Sequence, residues 1–141
     1  GDGTVSNSYS TGDVTRTSGD KTNFGSFAGE LDHVPGTIEY SYSVGSVYYE
    51  GDSDPAEKGF VGGTLELEES PTYTSNFFDS EVSNQSEGTG AEDLTTAEMT
   101  DIDTFIDAEW DIEHTTEADP TDGYPFLSWQ VGGSPTWYIS E

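Results

Sequence analysis

The groups of this 141-residue chain that could move protons are two histidines, His33 and His114, and 29 acidic residues. Neither histidine stands in a nucleophile pattern. Gly-x-Ser-x-Gly does not occur, and the lack of Cys removes thiolate chemistry and a disulfide framework. Two carboxylates flanking a sugar bond can hydrolyse it. Among 29 acids such pairs arise by chance, so a polysaccharide-active enzyme is the least supported of three functional readings. Alternating carboxylates also bind calcium. Asp52-Ser53-Asp54 and Asp101-Ile102-Asp103 have that form. Neither continues into a loop with the Gly and terminal Glu that complete a calcium cage. Asp52 and Asp54, in a loop, are the better candidates for a weakly held Ca2+ or another cation; no dedicated cofactor is expected. No His or Cys spacing points to zinc. Tyr48 and Tyr49 are adjacent, so on a strand one of them faces outward, where it could stack on a sugar ring. That pair is the candidate glycan contact.

These residues sit in a chain with 3 Lys plus Arg and a formal net charge of -26. A surface so acidic argues against nucleic acid, because phosphate binding needs Lys and Arg. It also strains a compact fold in dilute buffer by self-repulsion. At molar ionic strength the Debye length falls to roughly 3 Å and that repulsion is screened. Disorder is the poorer explanation, because aromatics make up 13% of the chain, recur at intervals, and supply a core. No apolar stretch is long enough to span a membrane as a helix. The expected setting is extracellular or cell-surface, in high salt. Asn84-Gln85-Ser86 is a sequon that permits N-glycosylation there. The opening Gly1-Asp2-Gly3, with neither Met nor a leader, reads as a processed product or an excised piece.

An internal repeat positions these groups. Gly3 to Thr15 read GTVSNSYSTGDVT and Gly36 to Tyr48 read GTIEYSYSVGSVY, identical at seven of thirteen positions. Phe27-Ala28-Gly29 returns at the same spacing as Phe60-Val61-Gly62, and a degraded third copy begins at Thr72. Apolar residues alternate (Val5, Asn7, Tyr9; Ile38, Tyr40, Tyr42), which predicts strands with one buried face. Arg16 to Asn23 and Asp52 to Lys58 read as projecting loops. One such unit cannot bury its apolar face alone, so stacking is expected, like residue over like. The predicted columns are Val5/Ile38/Tyr73, Tyr9/Tyr42/Phe77 and Phe27/Phe60. The fold class is therefore mainly β, a short β-solenoid of two to three coils, with a β-sandwich as the other candidate.

The segments GTVSNSYSTGDV with GSFAGEL, and GTIEYSYSVGSV with KGFVGGTL, resemble the GLUG repeats of bacterial and archaeal surface proteins. The segments LTTAEM, WDIE and YPFLSW resemble the closing stretch beyond the last such repeat. The resemblance implies a secreted or cell-wall protein, adhesin-like, of parallel β-helix character, here from a haloarchaeal source. It carries no catalytic residue. Position 40 departs from it, with Tyr where the repeats usually have Asn.

Residues 1–83 are expected to form the repeats and 84–141 a small α/β cap. Thr95 and Glu98 form a capping-box pattern that predicts a helix over about 96–107, with Met99, Ile102, Phe105 and Ile106 on one face. Trp110 with Ile112, and Tyr124 to Trp129, predict short strands. Trp137, Tyr138 and Ile139 form a last apolar strand, which either packs on its own cap or adds to the open edge of a neighbour. The assembly residues are thus Tyr9, Tyr42, Phe77, Trp137, Tyr138 and Ile139. The edge beginning at Gly3 meets upstream repeats or another subunit. The function expected is structural or adhesive, as a fibre subunit or surface assembly, and not enzymatic. A carbohydrate- or receptor-binding module, for example of a viral spike, is the second reading.

Overall fold

Each copy of the repeat, by its alternation of apolar and small polar residues, makes one long strand and two short ones. A computed structural model describes residues 3–19, 22–32, 36–51, 55–65, 69–114, 123–127 and 137–139. The first copy gives β1 (Thr4–Ser10), β2 (Val14–Arg16) and β3 (Leu31–Asp32); the second gives β4 (Thr37–Ser43), β5 (Val47–Tyr49) and β6 (Thr64–Leu65). The two copies lie one on the other, every strand parallel to its counterpart: Thr4 opposite Thr37, Val14 opposite Val47, Leu31 opposite Thr64. The third copy supplies β7 (Thr72–Thr74) and β8 (Phe77–Asp79), again parallel on β4, with Ile38 opposite Tyr73 and Tyr42 opposite Phe77. The chain is mainly β, with parallel sheets, and the registers are those the spacing of the repeat predicts.

The core lies between the strands of these layers. Ile38, Phe60, Val61 and Phe78 are buried together, with Phe27, Leu31 and Tyr73 packed against them. After β8 a single helical turn, α1 (Ser80–Ser83), leads to β9 (Glu92–Leu94), which pairs parallel with β8. On the way, Gly88 and Thr89 run antiparallel to Lys58 and Val61, where a third Phe-x-Gly segment would lie. Residues 84–95 thus belong with the repeats. The chain divides into two units, Gly1–Thr95 and Thr96–Glu141, further along than the expected division after residue 83.

One detail of the strands corrects the alternation. Asn7, Tyr40 and Ser75, at equivalent places in the three copies, have φ of 47°, 47° and 49°. Each strand bends through the left-handed region at that point, so Asn7 and Tyr40 are corner residues and not members of the alternating row. Asn tolerates this conformation and an aromatic residue does so poorly. Tyr40→Asn should therefore raise stability by about 1 kcal/mol. Denaturant unfolding at fixed salt checks this. A fall in stability would mean that contacts of the Tyr40 ring outweigh its backbone strain.

In the second unit, α2 (Thr96–Met99) and α3 (Ile102–Asp107) replace the single helix expected over 96–107. The cause is local. The Thr100 hydroxyl donates back to the carbonyl of Thr96 at 2.8 Å, and Asp101 turns extended to cap α3, accepting from the Asp103 N–H at 3.0 Å. The break rotates the apolar face. Met99 and Phe105 are buried, but Ile106 is 50% exposed. Trp110 packs edge-on against Phe105 with centroids 5.0 Å apart. The strands β10 (Ile112–His114), β11 (Phe126–Leu127) and β12 (Trp137–Ile139) form one sheet with β12 in the middle, antiparallel to β10 and parallel to β11.

Candidate functional site

The repeat builds columns that run through the layers. Tyr9 stacks on Tyr42 with centroids 5.2 Å apart and rings 6° from parallel, and Phe27 stacks on Phe60 at 4.5 Å and 15°. Offset-stacked rings at such distances stabilise beyond their burial. Phe77 continues the Tyr9/Tyr42 column and is buried. Of the expected assembly residues, the structure brings Tyr9, Tyr42 and Phe77 together. Trp137, Tyr138 and Ile139 lie in the other unit, where β12 is paired along both edges, the first of the two placements considered for it.

Beside the aromatic column runs a polar one, which the sequence reading missed. The bend at Tyr40 interrupts the backbone ladder and leaves groups to be satisfied by side chains. Asn76 does this for β4: its Oδ1 accepts from the Ser41 N–H at 3.1 Å, and its Nδ2 donates to the carbonyls of Ile38 at 2.7 Å and Gly90 at 3.1 Å. One layer up, the Ser41 hydroxyl accepts from the Ser8 N–H at 3.3 Å while donating to the carbonyl of Glu39 at 2.9 Å. The available signal was alignment: Asn76 stands under Ser41 at the spacing that puts Phe77 under Tyr42.

Lys58, read as part of an exposed loop, is only 6% exposed. Its ammonium donates to the carbonyl of Gly62 at 2.6 Å and lies 5.7 Å from the centroid of Phe24. That geometry combines a charge-assisted hydrogen bond with a cation–π contact. Gln85 closes the same corner, its Oε1 accepting from the Lys58 N–H at 3.0 Å. No sequence pattern marks Gln85. Asp13 accepts from Ser46 through both hydroxyl and N–H, and this holds its carboxyl below the usual carboxylate range. A lowered carboxyl contributes stability above its unfolded pKa and loses it as pH falls through the folded value.

Asp79 is 0% exposed and caps α1, accepting from the N–H groups of Glu81 at 3.0 Å and Val82 at 2.8 Å. Asp79→Ala should cost about 1–2 kcal/mol in equilibrium unfolding, and Asp79→Asn, which keeps a capping oxygen, clearly less. Equal losses for the two would mean that the charge, not the cap, matters.

Of the candidate glycan pair, Tyr48 is 49% exposed and Tyr49 is turned in. The Tyr49 hydroxyl donates to the carbonyl of Gly19 at 2.7 Å and its ring lies 6.0 Å from that of Phe24. Tyr49 therefore holds the loop after β2, and Tyr48 is the outward member. Asp52 and Asp54 lie outside the described residues. Asp101 is engaged as a helix cap. Among the described residues no group of three His, Cys, Asp or Glu is placed to hold a metal, and no helix is long and apolar enough to cross a membrane. Cavities open in the repeat unit. One, about 360 Å³, is lined by Ala56, Ser80, Asn84, Gln85, Ser86 and Asp93. Another, about 300 Å³, is apolar and lies between β1 and the Phe27–Leu31 segment. Compared with known proteins, the chain matches no family model, no curated protein and no solved structure.

Proposed function

We propose that this chain is a structural and adhesive module of a cell surface in a high-salt environment, built as a short β-solenoid of GLUG-like repeats. The observation that carries the reading is the parallel stacking of whole repeats with like residues over like: Val5 on Ile38, Tyr9 on Tyr42, Ala28 beside Val61. Such a stack gains length, and surface, by adding copies. Four polar side chains that serve the scaffold support the same reading: Lys58 holds a backbone carbonyl, Asp79 and Asp101 cap helices, and Tyr49 holds a loop. The charge of -26 accounts for the setting. Immunogold electron microscopy of intact source cells in their own medium should label the outer surface; label confined to the interior would overturn the proposal.

The salt component has its own expected result. Raising KCl from 0.1 M to 3 M should raise the melting temperature by about 10 °C or more, because screening removes self-repulsion from the folded state. An unchanged or lower value in calorimetry would separate this protein from molar salt. The carbohydrate-binding alternative rests on Tyr48 alone. Retention on immobilised polysaccharide that disappears in Tyr48→Ala, with unfolding unaltered, would favour it.

A further inference from the structure

Two glycine columns and three hydrogen-bond columns end in the first layer with their first member unmatched among the described residues. A Cβ on Gly45 would collide with the carbonyl of Gly12 in the layer above, and one on Gly36 would lie 3.1 Å from the carbonyl of Gly3. Glycine at position 45 is thus required by the layer stacked on that side, and a side chain at position 36 would press on that layer. Gly3 and Gly12 occupy the same columns, yet a Cβ on either meets nothing within 4 Å. Their own layer gives no reason for glycine. The donors repeat the pattern. Thr72 donates to Gly36, Thr37 to Gly3 and Val44 to Ser10, at 2.9, 2.9 and 2.8 Å. The equivalent donors of the first layer, the N–H groups of Thr4 and Thr11, face away from the second copy and have no backbone acceptor among the described residues, since a parallel strand alternates its groups between its two edges. Ser8 completes the set. Its hydroxyl donates to the carbonyl of Ser6 at 2.8 Å, as Ser41 does to Glu39, but the acceptor site that Ser41 offers to the layer above has no donor on Ser8 among the described residues. Next to this edge, Val5 is 43% exposed at the mouth of the apolar cavity of about 300 Å³, with Phe27 and Leu31 on its walls.

We propose that the β1 face is a docking surface for one further layer of the same repeat, carried in cis and stacked parallel at the spacing that relates β1 to β4. The inference rests on the stacked-repeat reading above. The partner chemistry is set by the columns: carbonyls over Thr4 and Thr11, an N–H over Ser8, an apolar side chain over Val5, and an aromatic ring over Phe27. A tethered layer is favoured over a second copy because a short tether holds it at millimolar effective concentration, an advantage that persists when molar salt screens the charge of -26 on each chain.

The test duplicates residues 3–35 immediately ahead of Gly3 in the full chain, in molar KCl. The melting temperature should rise by about 5 °C, and the Thr4 and Thr11 amides should exchange more slowly. Gly12→Val should leave the unextended chain unaffected and abolish the gain in the extended one. An added segment that exchanges like unfolded chain, with no shift in melting, overturns the proposal. So does an unextended chain that dimerises with Thr4 and Thr11 already protected, which would make the occupant a second copy. Gly45→Val in the unextended chain keeps the two readings apart: if it is harmless, the stacking reading has failed, not the docking alone.

Discussion

Asn76→Ala should destabilise the repeat unit by about 3 kcal/mol, one of the two largest single-residue effects expected. The amide serves three backbone groups at once. It accepts from the Ser41 N–H and donates to the carbonyls of Ile38 and Gly90. Asn76 and Ser41 are both buried, so water does not readily replace what is removed. Each buried group left unpaired costs about 1–3 kcal/mol, and Gly90, which is only partly buried, adds least. Asn76→Ser should lose roughly half as much. A hydroxyl can accept the Ser41 N–H, as Ser41 itself accepts that of Ser8, but it cannot reach both carbonyls. Urea titration in molar KCl gives the ordering wild type, Ser, Ala. If Ala fell within about 0.5 kcal/mol of wild type, the polar column would be incidental to stability.

Gly62→Ala should be at least as damaging, with a loss of about 3–4 kcal/mol. The added Cβ would land on the carbonyl of Phe24 and within 2.6 Å of that of Gly29. These are backbone atoms of the layer above and cannot rotate away. The two Phe-x-Gly turns would have to separate, opening the Phe27/Phe60 stack and moving the carbonyl that Lys58 holds. Gly63→Ala is the control one residue on. Nothing lies within 4 Å of its Cβ, and its φ is not in the left-handed region, so its stability should be unchanged or slightly higher. A scan in which both variants melt alike would show that the layers are looser than their contacts indicate.

The strand registers were legible in the repeat alone. Gly-Thr-Val/Ile and Phe-x-Gly recur at one spacing, and identical strands stacked in parallel have their lowest energy when like side chains coincide, so Val5/Ile38/Tyr73 and Tyr9/Tyr42/Phe77 came from counting. The charge was equally legible. Local chemistry misled wherever a backbone departure intervened. The helix over 96–107 failed at Thr100-Asp101, because a capping Asp competes with helical continuation, and Ile106 left the apolar face as a result. Asn7 and Tyr40 looked like strand interior because a single left-handed residue does not disturb the alternation on either side of it.

The roles of the few polar residues, by contrast, emerged from the stacking of the layers. Asn76 has its partners 14 to 38 residues away, and Lys58 and Gln85 join each other across 27 residues, beside local contacts with Glu57 and Gly62 for Lys58 and with Ser83 and Asn84 for Gln85. No local pattern encodes such pairs; they arise because stacking brings a bend in one layer over a side chain in the next. The same holds for glycine. Gly12 and Gly45 are indistinguishable as letters, and only stacking separates them: a Cβ on Gly45 meets the carbonyl of Gly12, and one on Gly12 meets nothing within 4 Å.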